Sequence, residues 1–588
     1  MGSSRRTFLK NAGLGLAATG MATSHHEVGS PTNQTTDPCD DLPKQGPKPV
    51  VRGKQAVCSS SHPIVTQTML DVLKAGGKAA DAAVAGSLVQ ATVELHMTNH
   101  TGTVTFLYWE AKTGKAHQLD SGGTIVPDLP PFRPVPGEVG GYAAGNPMAC
   151  IPGFMPGMAA IHERFGTLPW ARLCEPAIRW AEGGHVVSSF EHALYLWQID
   201  FHTYFPAGRE LFTPNGFIPQ VGERHQNPKL AETLKRLARE GPEYFTRGEW
   251  ARHFVEEANR LGWPIKMAHM TANPPRWMEP LRYPHRAYEI LQLAPPQRTG
   301  VYSAIVLGIL RELDVTSLGH YTESPEALYY FAHALRHASY ETGLLNDPLI
   351  FEVPVDTWTS PAFHQTRADI FRRSKPKVDL TPHVRITSSK AALAAAGLRL
   401  EERPPAGSCE LSIVDSDGNW VQMMNTLQTG GIPGAVVDGV PMVGSHVGLN
   451  SLSRSMSAWL VPGSRVRSVM GNTIVLKEGK PCLSLGSPGN VHCTVPQMLS
   501  SILDFGLDPY EASVLPRMLE LRDDNVLAIE SRLADRVVAG LAKLGMHMKA
   551  LPVYDFHMGS YQMCWRDPKT GLLSSSTDPR RVGMAAGL

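Results

Sequence analysis

The sequence predicts an α+β fold in which helices and sheets form separate layers. Three observations predict it. Helix-like and strand-like segments come in blocks rather than in a repeating βαβ order, and short β-branched or aromatic runs are closed by glycine turns. The content of 54 Gly and 47 Pro also exceeds what a helical bundle carries. The chain has 588 residues, 42% hydrophobic and 19% charged, which suits a large buried core and is not a disordered composition. Its 55 Lys and Arg balance 54 Asp and Glu, so no global basic field gathers nucleic acid or an anionic membrane.

The N-terminus is read first. Ser4-Arg5-Arg6-Thr7-Phe8-Leu9-Lys10 precedes a mildly apolar run rich in Gly and Ala, Asn11 to Ala22. That is the order of a twin-arginine export signal, and a run of about 12 residues is too short for a hydrocarbon core that needs about 20. The sequence therefore predicts a signal peptide over 1–22, a flexible polar leader over 23–49, and an ordered body from Val50. A folded protein in the periplasm or outside the cell is expected, with no membrane span after signal removal.

Within the body, Ile64 to Val89 has apolar residues at helical spacing broken by Gly76-Gly77, which predicts two helices joined by a tight turn. Val104 to Trp109 reads as a strand, followed by the turn Lys112 to Lys115 and a second strand. Residues 155–345 read as a mostly helical layer, with Pro228 to Arg239 and Val301 to Leu313 as the clearest helices. The character changes near Pro404-Pro405. Beyond it, Glu410 to Val414, Trp420 to Leu427, Thr473 to Lys477 and Cys482 to Leu485 are strands, with Asp417-Gly418-Asn419 and Glu478-Gly479-Lys480 as hairpin turns.

The eight cysteines, at 39, 58, 150, 174, 409, 482, 493 and 564, show no close metal-binding spacing, and histidines do not gather beside them. No zinc site is expected from them, although an oxidising compartment would allow some pairs to bridge. No GxGxxG after a strand and no GxxxxGK[ST] is found, so neither nucleotide nor any other cofactor is expected.

His62-Pro63 with Lys74-Ala75-Gly76-Gly77-Lys78-Ala79-Ala80-Asp81-Ala82-Ala83-Val84-Ala85 resembles the gamma-glutamyltranspeptidase family. So do Ile151-Pro152-Gly153, Phe165-Gly166-Thr167-Leu168, Pro176-Ala177-Ile178, Ser412 to Asn419, Gly486-Ser487-Pro488-Gly489 and Asp578-Pro579-Arg580, in one order along residues 54–584. The resemblance implies an N-terminal-nucleophile hydrolase. Such a protein is a four-layer αββα sandwich made as one precursor that cuts itself into a large and a small subunit, here 50–407 and 408–588.

The resemblance places the nucleophile four residues before the Ser412 strand segment, at Ser408, preceded by Gly407. A hydroxyl beside a flexible glycine can attack the carbonyl behind it, and cleavage then frees an α-amino group of pKa about 8 that serves as base for the same hydroxyl. Read on spacing alone, Ser408 is a turn serine, and Cys409 is the competing nucleophile after a one-residue slip that turns it to the other strand face. Serine in place of the family threonine loses the methyl that restricts χ1. Thr426 corresponds to a second threonine that hydrogen-bonds the nucleophile. Gly489 and Asn490 fall on the paired glycines whose N–H groups hold the oxyanion.

The substrate-binding pattern departs from the family. Gly122 stands at the position of a carboxylate-binding Arg, Ser468-Val469 replaces a serine pair, Gln428 takes the place of an Asn, and Ser445 and Gly448 fall near the remaining two ligands. A missing guanidinium fork argues against glutathione. The expected activity is cleavage of a small-molecule amide, by hydrolysis or acyl transfer, with a roomier and less polar acyl pocket. The alternatives are a conventional glutathione or gamma-glutamyl enzyme using another cation such as Arg467, and an unprocessed exported binding protein.

Overall fold

The computed structural model describes residues 42–127, 150–197, 199–261, 265–272, 274–374, 407–427, 434–442, 462–465, 468–521 and 525–588. The strands of its two large sheets are β1 (Val51–Gly53), β2 (Val57–Ser60), β3 (Thr103–Glu110), β4 (Lys115–Ser121), β5 (Arg276–Met278), β6 (Leu281–His285), β7 (Tyr288–Gln292), β8 (Cys409–Val414), β9 (Trp420–Thr426), β10 (Thr473–Lys477), β11 (Lys480–Gly486), β12 (Gln562–Arg566), β13 (Leu573–Thr577) and β14 (Met584–Gly587). One seven-stranded sheet has the order β14–β2–β8–β9–β3–β4–β5. The other, also seven-stranded, has the order β1–β13–β12–β11–β10–β7–β6. Every neighbouring pair in both is antiparallel.

Helices α1 (Pro63–Lys74), α2 (Ala79–Val93), α3 (Phe154–Phe165) and α4 (Trp170–Gly183) cover the outer face of the first sheet. After α5 (Ser189–Trp197) and α6 (Pro228–Glu240), helices α7 (Thr299–Glu312), α8 (Pro325–Glu341), α9 (Pro361–Ser374) and α10 (Val491–Leu503) form the opposite layer. The result is the αββα sandwich that the resemblance implies. Because both sheets are covered on both faces, β9 is buried throughout and β3 from Thr103 to Trp109 instead of alternating, and β-branched and aromatic side chains fill both sides. Helix α2 is buried along its whole length, and its small residues permit this: a Cβ on Gly86 would lie 2.8 Å from Met69 Cγ of α1.

The motif residues in this half hold elements together. Asp81 accepts from the Lys78 N–H at 2.8 Å, and from Thr167 N–H and Oγ1 at 2.8 and 2.6 Å, so one buried carboxylate caps α2 and clasps the Phe165–Leu168 turn. Asp415 accepts from Asn419 Nδ2 and from the Ala79 N–H, both at 2.9 Å, which ties the β8–β9 hairpin to the start of α2.

The element layout departs from the sequence reading in two places. The span 155–345 contains β5, β6 and β7; β6 is an edge strand that carries Pro284, and edge position is what lets a strand tolerate proline. The end of the leader is not loose, because Gly46 N–H and Gln45 Nε2 donate to the Pro579 and Arg580 carbonyls, each at 2.8 Å. The expected signal peptide over 1–22 lies outside the described residues. Among the described residues no helix is long and apolar enough to cross a membrane. Six cysteines, 58, 174, 409, 482, 493 and 564, carry free thiols.

Candidate active site

Strand β8 pairs with β9 so that Cys409 faces Asn425, and one more step of the register sets Ser408 opposite Thr426. The Ser408 hydroxyl donates to Thr426 Oγ1 at 2.7 Å. Thr426 is opposite Thr103 on β3, and a further step reaches Gly122 just past β4. Four residues thus lie in one row across the end of the sheet, Gly122 being about 14 Å from Ser408 at three strand spacings.

The row faces the space between the sheets. Ser412, on the same face of β8 as Ser408, meets Ser484 of the second sheet at 2.8 Å. Cys409 points the other way, into a small apolar cluster with Met97, Phe190, Leu194 and Val582. Burial and the neighbouring Glu94 carboxylate push its thiol well above the ordinary range. The alternation of the strand therefore excludes Cys409 from the position that Ser408 occupies.

From the second sheet, the turn after β11 brings Gly489 to this edge. Its N–H donates to the carbonyl oxygen of Gly407 at 3.1 Å. Gly489 has φ +87°, and a Cβ there would lie 3.2 Å from Gly559 Cα, so glycine is required for both conformation and space. Asn490, by contrast, has φ −79°, which any residue adopts; it is the N-cap residue of α10, and its Nδ2 donates to the His557 carbonyl at 3.3 Å. The loop is pinned from below, where Ser487 Oγ accepts from the Ser560 N–H at 3.0 Å.

Ser408 itself has φ +79°, a strained conformation for a residue with a Cβ, costing about 1–3 kcal/mol. Its carbonyl oxygen accepts from Arg581 Nη1 at 2.7 Å. Arg581 is fully buried, and burial lowers its pKa to about 10 despite the nearby Glu94 and Asp578. On the helix side of β8, Asn425 Nδ2 donates to Gln90 Oε1 at 2.7 Å, Gln90 Nε2 to Ser61 Oγ at 3.1 Å, and Ser61 Oγ to Glu94 Oε2 at 2.9 Å. A continuous buried chain of hydrogen bonds therefore backs the start of the strand. Sequence reading stopped at Asp578-Pro579-Arg580 and missed Arg581 and Glu94. The available signal was an acidic residue directly after a helix with no polar face.

The Asp578-Pro579-Arg580 motif proves structural. Burial pushes Asp578 up, but Arg517 and Arg580 outweigh it and hold the carboxyl below its ordinary range. Arg580 also donates to Glu530 at 2.5 Å.

The remaining expected ligands are less assembled. Gln428 and Ser445, with Gly448 and Arg467, lie outside the described residues. The Ser468 carbonyl accepts from the Arg298 N–H at 2.8 Å, and among the described contacts nothing joins the Ser468 side chain to Ser408. The space beside Gly122 is not open, contrary to the sequence reading. A Cβ there would meet Arg465 Cγ at 3.4 Å and Cδ at 3.6 Å. Arg465 is buried; it donates to the Asp120 carbonyl and, at 2.7 Å, to the Pro274 carbonyl, with Asp120 Oδ2 3.9 Å away.

The family model described as gamma-glutamyltranspeptidase matches residues 65–588. The glutathione hydrolase proenzyme of Escherichia coli (strain K12) is 26% identical, over 90% of this chain and 91% of its own. The acylase ACY 1 proenzyme of Pseudomonas sp. (strain V22) is also 26% identical, over 91% of this chain and 95% of its own. The crystal structure of cephalosporin acylase from Bacillus halodurans superposes with a TM-score of 0.78 at 23% identity, covering 93% of this chain and 98% of that one, and so shares the fold. The chain belongs to the gamma-glutamyltranspeptidase family of N-terminal-nucleophile hydrolases and acyltransferases.

Proposed function

We propose that Ser408 is the nucleophile of a self-processing amide hydrolase or acyltransferase whose acyl specificity differs from that for glutathione. One observation carries the reading: the Gly407 carbonyl is already engaged by the Gly489 N–H while the adjoining Ser408 hydroxyl is held by Thr426. The scissile carbonyl of self-cleavage thus sits where the carbonyl of a substrate would later sit.

In processing, Ser408 Oγ attacks the Gly407 carbonyl carbon, the C–N bond to Ser408 breaks, and the nitrogen takes up the proton that the hydroxyl gives away. Water then hydrolyses the resulting ester, leaving a Gly407 carboxylate and a free Ser408 α-amino group. In turnover that amine, of pKa about 8, accepts the Oγ proton as Oγ attacks the substrate amide. The leaving amine carries the proton away, and water or a second amine resolves the acyl-enzyme. Gly489 and Asn490 N–H groups, at the N-terminus of α10, stabilise the oxyanion in each step.

Altered specificity is supported by Gly122 and by Arg465. The cation beside Gly122 is buried, donates to the Asp120 and Pro274 main-chain carbonyls and lies 3.9 Å from Asp120 Oδ2, which argues against its serving a substrate carboxylate. Relatives named as glutathione hydrolase and as acylase stand at equal identity, which agrees with a scaffold that exchanges acyl groups. The Arg5-Arg6 segment supports export by the twin-arginine route to the periplasm or beyond. Subunits of 50–407 and 408–588 follow from the same reading, and they interleave, since β8 and β9 lie between β2 and β3.

Denaturing electrophoresis with N-terminal sequencing tests this. A chain beginning at Ser408, of about 20 kDa from a 64.0 kDa whole, is expected in the wild type and absent in Ser408→Ala. Acyl p-nitroanilides without an α-amino acid group are expected to turn over faster than gamma-glutamyl-p-nitroanilide. A single uncleaved wild-type chain would sink the proposal and leave a binding protein in its place.

A further inference from the structure

A second polar cluster lies beyond the nucleophile, and no step of the reaction above uses it. The short strands His185–Val186 and Arg224–His225 pair antiparallel with His185 directly opposite His225. Glu191, in the first turn of α5, reaches His185 Nε2 at 2.8 Å. One nitrogen or oxygen from each of His185, Glu191 and His225 falls within 4.8 Å of the others, and all three residues are buried. We propose that His185, Glu191 and His225 form a structural binding site for a divalent transition-metal ion, zinc being the best match to two imidazoles and a carboxylate.

Several features favour an ion over a bare ion pair. His225 Nε2 is 3.0 Å from the Leu211 carbonyl, which only accepts, so this nitrogen carries the proton and the other presents a lone pair. A ligand histidine fixed by a carbonyl is the usual arrangement at metal sites. Glu191 Oε2, His62 Nε2 and both ring nitrogens of His96 are buried without a hydrogen-bond partner, which is costly in a core. The rings are close: His62 is 6.1 Å from His185 between centroids, and Tyr195 is 5.9 Å from His225 and 5.1 Å from His96. Water would supply the fourth position of a tetrahedral site.

The site touches the reaction through one residue. Phe190, beside Glu191, lies under Arg581 with 5.3 Å between ring centroid and guanidinium, and Arg581 holds the Ser408 carbonyl. An ion that fixes the first turn of α5 therefore also fixes the seat of Arg581. Sequence spacing gave no hint of this, because positions 185, 191 and 225 form no compact motif and meet only through the strand pair.

The test uses untagged protein purified without chelator, with metal content measured by mass spectrometry. About one zinc per chain is expected in the wild type, and less than a tenth of that in His225→Gln and Glu191→Gln. Stripped wild-type protein is expected to take up one Co(II) with the visible bands of a tetrahedral site, and to melt several degrees higher with Zn(II) added. The Co(II) titration needs no variant, so misfolding of a variant does not obscure the result. Stripped wild-type protein that takes up no Co(II) at equimolar concentration, or equal metal in wild type and His225→Gln, overturns the proposal. In the second case His492, Cys493 and Glu520, the other such group among the described residues, would be the place to look.

Discussion

Arg581 donates from Nη1 to the main-chain carbonyl of Ser408, so the proposed nucleophile is gripped through its backbone by a residue 173 positions away. Arg581→Met keeps most of the buried volume and removes this grip. It is expected to slow both precursor cleavage and kcat by about 10- to 100-fold while KM moves little, because the substrate is not touched. Arg581→Lys should recover part of the rate. Wild-type rates in Arg581→Met would mean that the contact is only structural.

The two residues proposed to hold the oxyanion, Gly489 and Asn490, are expected to respond oppositely to substitution. Gly489→Ala forces a Cβ into a positive-φ position against Gly559, and should lose at least 100-fold in rate. Asn490→Gly leaves the N–H in place and should change kcat less than threefold, at a stability cost of about 0.5–1 kcal/mol from added chain freedom. Steady-state kinetics and denaturant melts on both variants separate the effects. A large kcat loss in Asn490→Gly would assign catalysis to its side chain.

Glu94 makes stability depend on pH. Burial pushes its carboxyl from the ordinary 4.5 up to about 7, although Ser61, Cys409 and Arg581 pull the other way. The folded state therefore holds this proton more tightly than the unfolded chain. Its contribution is full below pH 4.5 and is lost as pH rises through about 7, a change of about 3 kcal/mol. Denaturant melts of the single-chain Ser408→Ala protein at pH 5 and 8 should show this loss, and Glu94→Gln should flatten it. Equal pH slopes in the two proteins would refute the assignment.

Cys409 is expected to be inert. Its thiol is buried and held in the protonated form, so iodoacetamide should leave the native enzyme fully active, and Ser408→Ala should show no residual cleavage. Rapid alkylation at Cys409 with parallel loss of activity would reopen the thiol mechanism.

How far the sequence carried depended on distance along the chain. The pairing of Ser408 with Thr426 was legible only through the family resemblance, whereas the hairpin that carries both was legible from its turn, Asp417-Gly418-Asn419. The helix pair around Gly76-Gly77 was legible for the same reason. Arg581, Glu94 and Arg465 were not, since each reaches the site from a remote segment and has no local pattern that says where its side chain ends. Strands β5 and β6 were hidden by their edge positions, where proline and charge replace the apolar alternation on which strand recognition rests, while β7 lies one strand inside β6. The apparent vacancy at Gly122 misled because a sequence shows which side chain is missing and not which neighbour fills the space.

The backbone of Ser408 gives self-cleavage a direction. Its unfavourable φ is a torsion about N–Cα defined by the Gly407 carbonyl carbon, and it ceases to exist when that bond is cut. About 1–3 kcal/mol is then released, worth roughly 5- to 150-fold in the balance between joined and severed chains. Re-ligation would have to rebuild the twist against this bias. The step behaves as a ratchet, and the freed amine can turn about N–Cα toward its own hydroxyl, a movement that the intact chain forbids.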